Sequence, residues 1–308
     1  MVDRLAPASL MLMAVLWGST FFVLKDMLAR MDASDLLAVR FTIAALLLVV
    51  VLRRRLRMDA TTVRHGLVMG ALYGAGQLLQ TYGLAQTSAS ISGFLTGLYV
   101  VMTPILEAVL LKARVGRRVW LAVALATAGL GLLTLMPGVG ATRFGWGEFL
   151  TVLSALAYAG HIAYTGRVST QALSLPLSTV QTVTVAAVCV LAALPGGIAL
   201  PQRAADWWAV LYLAVLCGAL AIVLQVWAQA RVEATRAAVI MSSEPIWAAF
   251  FAIAAGQEEI GWRTLVGGAA MVCAMMLASL PEPARLPGIR AARAEYRERP
   301  PELSGSTR

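Results

Sequence analysis

Gln80-Thr81-Tyr82-Gly83-Leu84-Ala85-Gln86-Thr87-Ser88-Ala89 is answered 145 residues later by Gln225-Val226-Trp227-Ala228-Gln229-Ala230-Arg231-Val232-Glu233-Ala234. Gln80 falls on Gln225, Tyr82 on Trp227 and Ala89 on Ala234; the same offset carries Gly116 onto Gly261 and Arg118 onto Arg263 without a gap. An offset of 141 relates the earlier segments, Ala14 to Ala155, Gly18 to Ala159, Arg40 to Gln181 and Ala45 to Ala186. The four-residue difference is absorbed most simply in the Pro- and Gly-containing stretch near 195–206. Self-similarity at a fixed offset marks one structural unit copied twice, here about 6–136 and 147–280.

The composition says where such a unit lives. The 308 residues are 59% hydrophobic and 13% charged, with a mean hydropathy of +0.77. Soluble domains run near 45–50% apolar and about 25% charged, so the chain reads as an integral membrane protein. A helix needs roughly 20 apolar residues to cross a hydrocarbon core of about 30 Å. Ten runs qualify: about 6–24, 35–52, 66–85, 90–111, 118–136, 147–166, 176–195, 207–229, 237–255 and 262–280. The expected fold is all-α, ten transmembrane helices arranged as two five-helix repeats. Because five is odd, the second copy enters the membrane from the opposite side. Inverted repeats of this kind are the architecture from which secondary transporters build alternating access.

A cytoplasmic N-terminus puts 19 Lys and Arg on that side, concentrated at 53–64, at 112–118 and in the tail. Five fall on the other side: Lys25, Arg30, Arg143, Arg203 and Arg263. The positive-inside rule therefore predicts a multi-pass protein of the inner (cytoplasmic) membrane with both termini cytoplasmic. The net charge of +9 then reports loop placement and calls for no nucleic-acid partner. Pro281 to Arg308, rich in Pro, Arg and Glu, reads as a disordered cytoplasmic tail. Cys189, Cys217 and Cys273 each stand alone in an apolar run, and there are two histidines, so no disulfide framework, metal or cofactor is expected. The expected partners are a small-molecule substrate and the lipid bilayer; small-residue faces serve subunit and internal packing alike, which leaves the oligomeric state open.

Polar side chains inside a span are costly and need a reason. Span 3 carries Tyr73, Gln77 and Gln80; span 4 carries Thr96, Tyr99, Thr103 and Glu107; span 6 carries Ser154, Tyr158, His161 and Thr165. Steps of three and four put each set on one helical face. The three stripes suggest a shared wet cavity, or else interhelical hydrogen bonds worth about 0.6 kcal/mol each on average. Glu244 lies roughly 12 Å inside span 9 by helical rise. It either binds a substrate amine or carries a proton, or it is a protonated structural acid. His161, at a similar depth, would make a proton-responsive pair with it if spans 6 and 9 adjoin.

Arg40 lies about 7 Å from the outer end of span 2, within snorkelling reach of the interface, and otherwise meets a substrate carboxylate. Glu107, one turn from Lys112, is expected to form a salt bridge at the membrane edge. Trp17 and Trp247, both near mid-span, suit an apolar substrate wall or plain aromatic packing. Pro104 and Pro245 sit about one turn apart under the 145 offset and predict kinks at unequal levels in spans 4 and 9. Gly66, Gly70 and Gly74 recur every four residues on span 3 and predict a close helix approach.

Trp17-Gly18-Ser19-Thr20-Phe21, Arg40-Phe41 and Thr87-Ser88-Ala89 in the first half resemble EamA-type transporters of the drug/metabolite superfamily. So do Ala234-Thr235-Arg236-Ala237-Ala238-Val239, Glu244-Pro245 and Gly256-Gln257-Glu258 in the second. The resemblance covers nearly the whole chain apart from the tail. It implies export or exchange of small metabolites, many members moving amino acids. One departure is Leu111-Lys112, where such proteins commonly close the fourth span with Gly-Glu. The expected function is a secondary transporter of neutral or hydrophobic amino acids. Trp17, Thr20, Tyr73, Gln77, Gln80, Tyr99, Tyr158, His161, Glu244 and Trp247 are its candidate cavity residues, with Glu244, His161 and Arg40 as candidate proton or charge sites. A lipophilic-drug or nucleotide-sugar carrier of the same fold stays open, as does a channel or non-transporting scaffold. An enzyme is not expected: there is no HExxH, paired intramembrane aspartate or Ser–His motif, and no phosphate-binding GxxxxGK[ST] loop to drive transport with ATP.

Overall fold

The computed structural model describes residues 2–55, 58–87, 89–109, 115–134, 145–254 and 262–279. These residues form helices and no strand. The first three crossings are α1 (Val2–Met27), α2 (Ala33–Leu52) and α3 (Ala60–Gln86). The fourth is broken into α4 (Ala89–Gly97) and α5 (Tyr99–Val109), and α6 (Arg117–Thr134) is the fifth. The second half repeats the plan with α7 (Trp146–Val168) and α8 (Ser174–Ala193). Its third crossing is α9 (Ala204–Ala214), a π-helical turn (Val215–Leu220) and α10 (Ala221–Gln229). Its fourth is broken into α11 (Ala234–Met241) and α12 (Glu244–Ala254), and α13 (Trp262–Ser279) closes the set.

Among the described residues, four segments are individually long and apolar enough to cross a membrane: Leu5–Met27, Ala33–Leu52, Ser174–Gly196 and Ala204–Gln229. Helices α3 and α7, which bear two of the polar stripes, are as long but less apolar. That is the mark of a helix that faces protein on most sides rather than lipid. Asp59 starts α3 by accepting from the Thr62 amide at 2.8 Å, and the Thr62 hydrogen bonds hold its carboxyl below the ordinary carboxylate range.

The two breaks are the same structure. In the fourth crossing the Leu98 amide donates to Leu95, and the Val101 and Met102 amides donate to the Leu98 carbonyl. In the ninth, Ser243 donates to Ile240, and Ile246 and Trp247 donate to Ser243. Each bond maps onto its counterpart by adding 145. The breaks themselves lie at matching levels, whereas Pro104 and Pro245 do not. The interruption is a tightening to i→i+3 bonding just before Tyr99 and Glu244. Pro245 falls in the first turn of α12, where a missing N–H costs nothing, whereas Pro104 lies inside α5.

Packing obeys the same symmetry. Helix α3 lies on α7 as α1 lies on α10; α7 meets α4 and α5 as α1 meets α11 and α12. The α2–α8 and α6–α13 pairs map onto themselves, so a pseudo-twofold axis passes between the members of each. The paired helix termini are tied together. Lys25 donates to the carbonyls of Leu84 and Thr87 at the end of α3, at 2.9 and 3.1 Å, where a cation meets the negative end of the helix dipole. Arg30 bridges Asp26 to Asp206 at the start of α9. At the opposite face Glu107 leaves α5 to accept from the Thr235 amide, at 3.0 Å, and from its hydroxyl. Glu107 thus caps the first turn of α11, a role the expected pairing with Lys112 did not foresee. Lys112, Gly256–Glu258 and the tail from Pro281 lie outside the described residues.

Candidate substrate cavity

Where the polar stripes of α3 and α7 meet the two breaks, a pocket opens in the bundle. Its walls come from both halves: Trp17, Thr20 and Leu24 of α1, Arg40 of α2, Tyr73, Gln77 and Gln80 of α3, Thr96 of α4 and Tyr99 of α5 on one side. Tyr158, His161 and Ile162 of α7, Gln225 of α10 and Glu244 of α12 complete it. The sequence offsets pair these residues. Trp17 corresponds to Tyr158 and Thr20 to His161 at 141; Gln80 corresponds to Gln225 and Tyr99 to Glu244 at 145. The cavity therefore straddles the pseudo-twofold axis, the place where an inverted-repeat protein can present one site to either side.

Tyr73 is the hub of the aromatic wall. Its ring stacks on Trp17 at 6.0 Å and meets Phe41 edge-on at 6.2 Å, with Tyr158 at 5.7 Å and His161 at 5.1 Å. Beside it runs a polar chain. Gln77 Nε2 donates to the Tyr158 hydroxyl at 2.8 Å, that hydroxyl donates to Gln80 Oε1 at 2.9 Å, and Gln80 Nε2 donates to Thr96 at 3.1 Å. Tyr158→Phe leaves both glutamines short of a partner in a buried setting, which costs about 1–3 kcal/mol. We expect a lower unfolding temperature for the detergent-solubilised variant; an unchanged one would show that water replaces the hydroxyl at no cost.

Among the described residues, four of the polar atoms buried around this space have no hydrogen-bond partner: the hydroxyls of Tyr73 and Tyr99, His161 Nδ1 and Gln225 Oε1. Native interiors leave few such atoms, and each demands an account; a polar ligand supplies one. His161 is held from behind, its Nε2 3.0 Å from Gln181 Oε1 and 3.3 Å from the Thr165 hydroxyl. His161 and Glu244 thus face one cavity, but among the described residues no hydrogen bond joins them. Glu244, 7% exposed, opens α12 immediately after the break.

Arg40 departs from the snorkelling expectation. It is 2% exposed, and its Nε donates to the Leu213 carbonyl at 3.1 Å. Helix α2 packs against α9 and the π-helical turn, so the side chain is drawn inward rather than along the helix to the interface. Trp247 is not among the cavity-lining residues; its ring meets Phe250 edge-on at 6.1 Å. Leu24, Ile162 and Gln225 line the space unforeseen. For Gln225 the signal was present, since it is the repeat partner of Gln80. The π-helical turn had no such signal, yet its Cys217 carbonyl accepts from Trp17 Nε1 at 3.0 Å and orients that ring.

The EamA-like transporter family matches the sequence twice, over residues 5–135 and again over 145–280. The chain belongs to this family. Each EamA match covers one set of five crossings. An uncharacterized transporter of Archaeoglobus fulgidus is 29% identical over 283 residues, spanning 91% of this chain and 87% of the relative. A crystal structure at 16% identity superposes with a TM-score of 0.75, over 95% of this chain and 99% of its own. It shows that the EamA-like fold is shared with a solved protein. The chain is accordingly a multi-pass membrane protein of a transporter family.

Proposed function

We propose that this EamA-like protein is a secondary transporter that exports or equilibrates neutral and hydrophobic amino acids across the inner membrane, both termini lying in the cytoplasm. One observation carries the reading: Glu244, buried, faces a cavity walled by Trp17, Tyr73 and Tyr158, and among the described residues no hydrogen bond reaches its carboxylate. A buried acid without a partner is costly, and a substrate ammonium relieves that cost. The aromatic wall suits an apolar side chain of that substrate. The single guanidinium nearby argues against the phosphates of a nucleotide sugar, which call for several basic groups. Alternating access then consists of the two halves rocking about the cavity, with the matched breaks before Tyr99 and Glu244 as flexing points.

Counterflow tests this. Proteoliposomes loaded with mixed unlabelled amino acids are placed in labelled leucine. Transient accumulation of label above empty liposomes is expected. Folded protein that accumulates no amino acid would remove the substrate class, and conductance without counterflow would make it a channel.

A further inference from the structure

We propose that Arg40 recognises the carboxylate of the transported molecule, with the π-helical turn of the eighth crossing holding its guanidinium in place. The proposal rests on the amino-acid reading for the substrate's other end, but not for its carboxylate.

The first ground is an uncompensated charge. Arg40 is among the largest fully enclosed side chains of the protein, and among the described residues no carboxylate lies within ion-pair distance of it. A buried cation without a counter-ion is strongly disfavoured. The Leu213 carbonyl engages Nε alone, which leaves the outer edge of the guanidinium, with its fork of parallel N–H groups, to match a carboxylate. The Phe41 ring, 4.9 Å below the guanidinium, fixes its plane but supplies no negative charge.

The second ground is how it is held. In the π-helical turn the Ala221 amide reaches back five residues to Leu216. Such turns shift the hydrogen-bond register and release a carbonyl from the ordinary ladder, and they recur at functional sites. Leu213, just before the turn, directs its carbonyl to Arg40 Nε, and Cys217 within it receives Trp17 Nε1. The same irregularity therefore orients the cation and the adjacent aromatic wall.

The third ground is polarity across the axis. The repeat partner of Arg40 is the neutral Gln181, whose Oε1 meets His161, and that of Glu244 is the neutral Tyr99. The cavity thus has one basic contribution, from the first half, and one acidic contribution, from the second. A zwitterion spanning the axis satisfies both, carboxylate toward α2 and ammonium toward α12, with its side chain against Tyr73. Only one orientation fits, so the molecule carries no twofold ambiguity in how it loads.

Competition against labelled leucine counterflow by the full-length protein reads this directly. The competitors are leucine, leucinamide (carboxylate replaced by carboxamide) and 4-methylpentanoate (amine removed). Leucinamide should compete at least about 30-fold more weakly than leucine in the wild type, the scale of an unpaired buried charge. In Arg40→Gln that preference should shrink to about threefold or less, and Arg40→Lys, charged but without the fork and the Nε bond, should fall between. A wild type that does not distinguish leucine from leucinamide overturns the proposal, as does Arg40→Gln with the preference intact. Should Arg40→Gln not fold, the wild-type comparison and Arg40→Lys decide. If no amino acid is transported, thermal stabilisation by 4-methylpentanoate is measured. Stabilisation weakened or lost in Arg40→Lys upholds Arg40 while the amino-acid reading falls; no stabilisation of the wild type, or stabilisation unchanged in Arg40→Lys, overturns both.

Discussion

Glu244→Gln should lower amino-acid counterflow by between about 30-fold and a few thousand-fold, the range for removing one member of a desolvated charge pair. The substitution keeps the shape and removes the charge. What it takes away is the counter-ion for the substrate ammonium, so the loss should be specific to substrates that carry one. The fold should not suffer, because among the described residues the carboxylate makes no hydrogen bond, and an amide is less costly to bury than a carboxylate. An unfolding temperature at or above that of the wild type is expected alongside the transport defect. Glu244→Asp, which retains the charge but withdraws it by one methylene, should recover part of the rate. Counterflow within threefold of the wild type in Glu244→Gln would mean that Glu244 is a structural acid and that the substrate amine is bound elsewhere.

Gly70→Ala should destabilise the protein although alanine is the better helix former. A Cβ at position 70 would collide with Thr184 Cβ and sit 2.6 Å from the Gln181 carbonyl oxygen of α8. The second contact is backbone, so no rotamer change relieves it and α3 must move away from α8. Overpacking of this kind costs about 1–3 kcal/mol, against a gain of about 1 kcal/mol from helix propensity. Gly93→Ala is the matched control, since nothing lies within 4 Å of its added Cβ; it should leave the unfolding temperature unchanged or raise it. The displacement also reaches the cavity, because Gln181 is the residue that steadies His161. Gly70→Ala with an unfolding temperature equal to that of the wild type would show that the α3–α8 contact yields.

The polar stripes were readable because a step of three or four residues sets the helical face, and a polar side chain in an apolar span must turn toward protein. Tyr73, Gln77, Gln80, Tyr99, Tyr158 and His161 accordingly all reach one cavity. Two short hydroxyls of the same stripes behave otherwise. Ser154 bonds the Thr151 carbonyl at 2.6 Å and Thr103 bonds the Tyr99 carbonyl at 2.7 Å, each on its own helix. Spacing cannot separate these cases, since a serine or threonine on any face of a helix can bond its own backbone. Trp247 shows a further limit. Its depth was legible, but the face it presents depends on the break before Glu244.

Composition, run length and the 145 and 141 offsets are enough to specify ten helices in two inverted sets, because the bilayer admits few structures and an odd repeat has only one way to return. They also suffice to select most of the cavity residues, since buried polarity is expensive wherever it occurs. The partners of Arg40, Glu107 and His161 required the folded protein. Each is met by a group more than one turn away in sequence: the Leu213 carbonyl beside the π-helical turn, the first turn of α11, and Gln181 on α8. Such contacts depend on how helices are rotated and where they break, and those are set by packing between helices rather than by any periodicity along one of them.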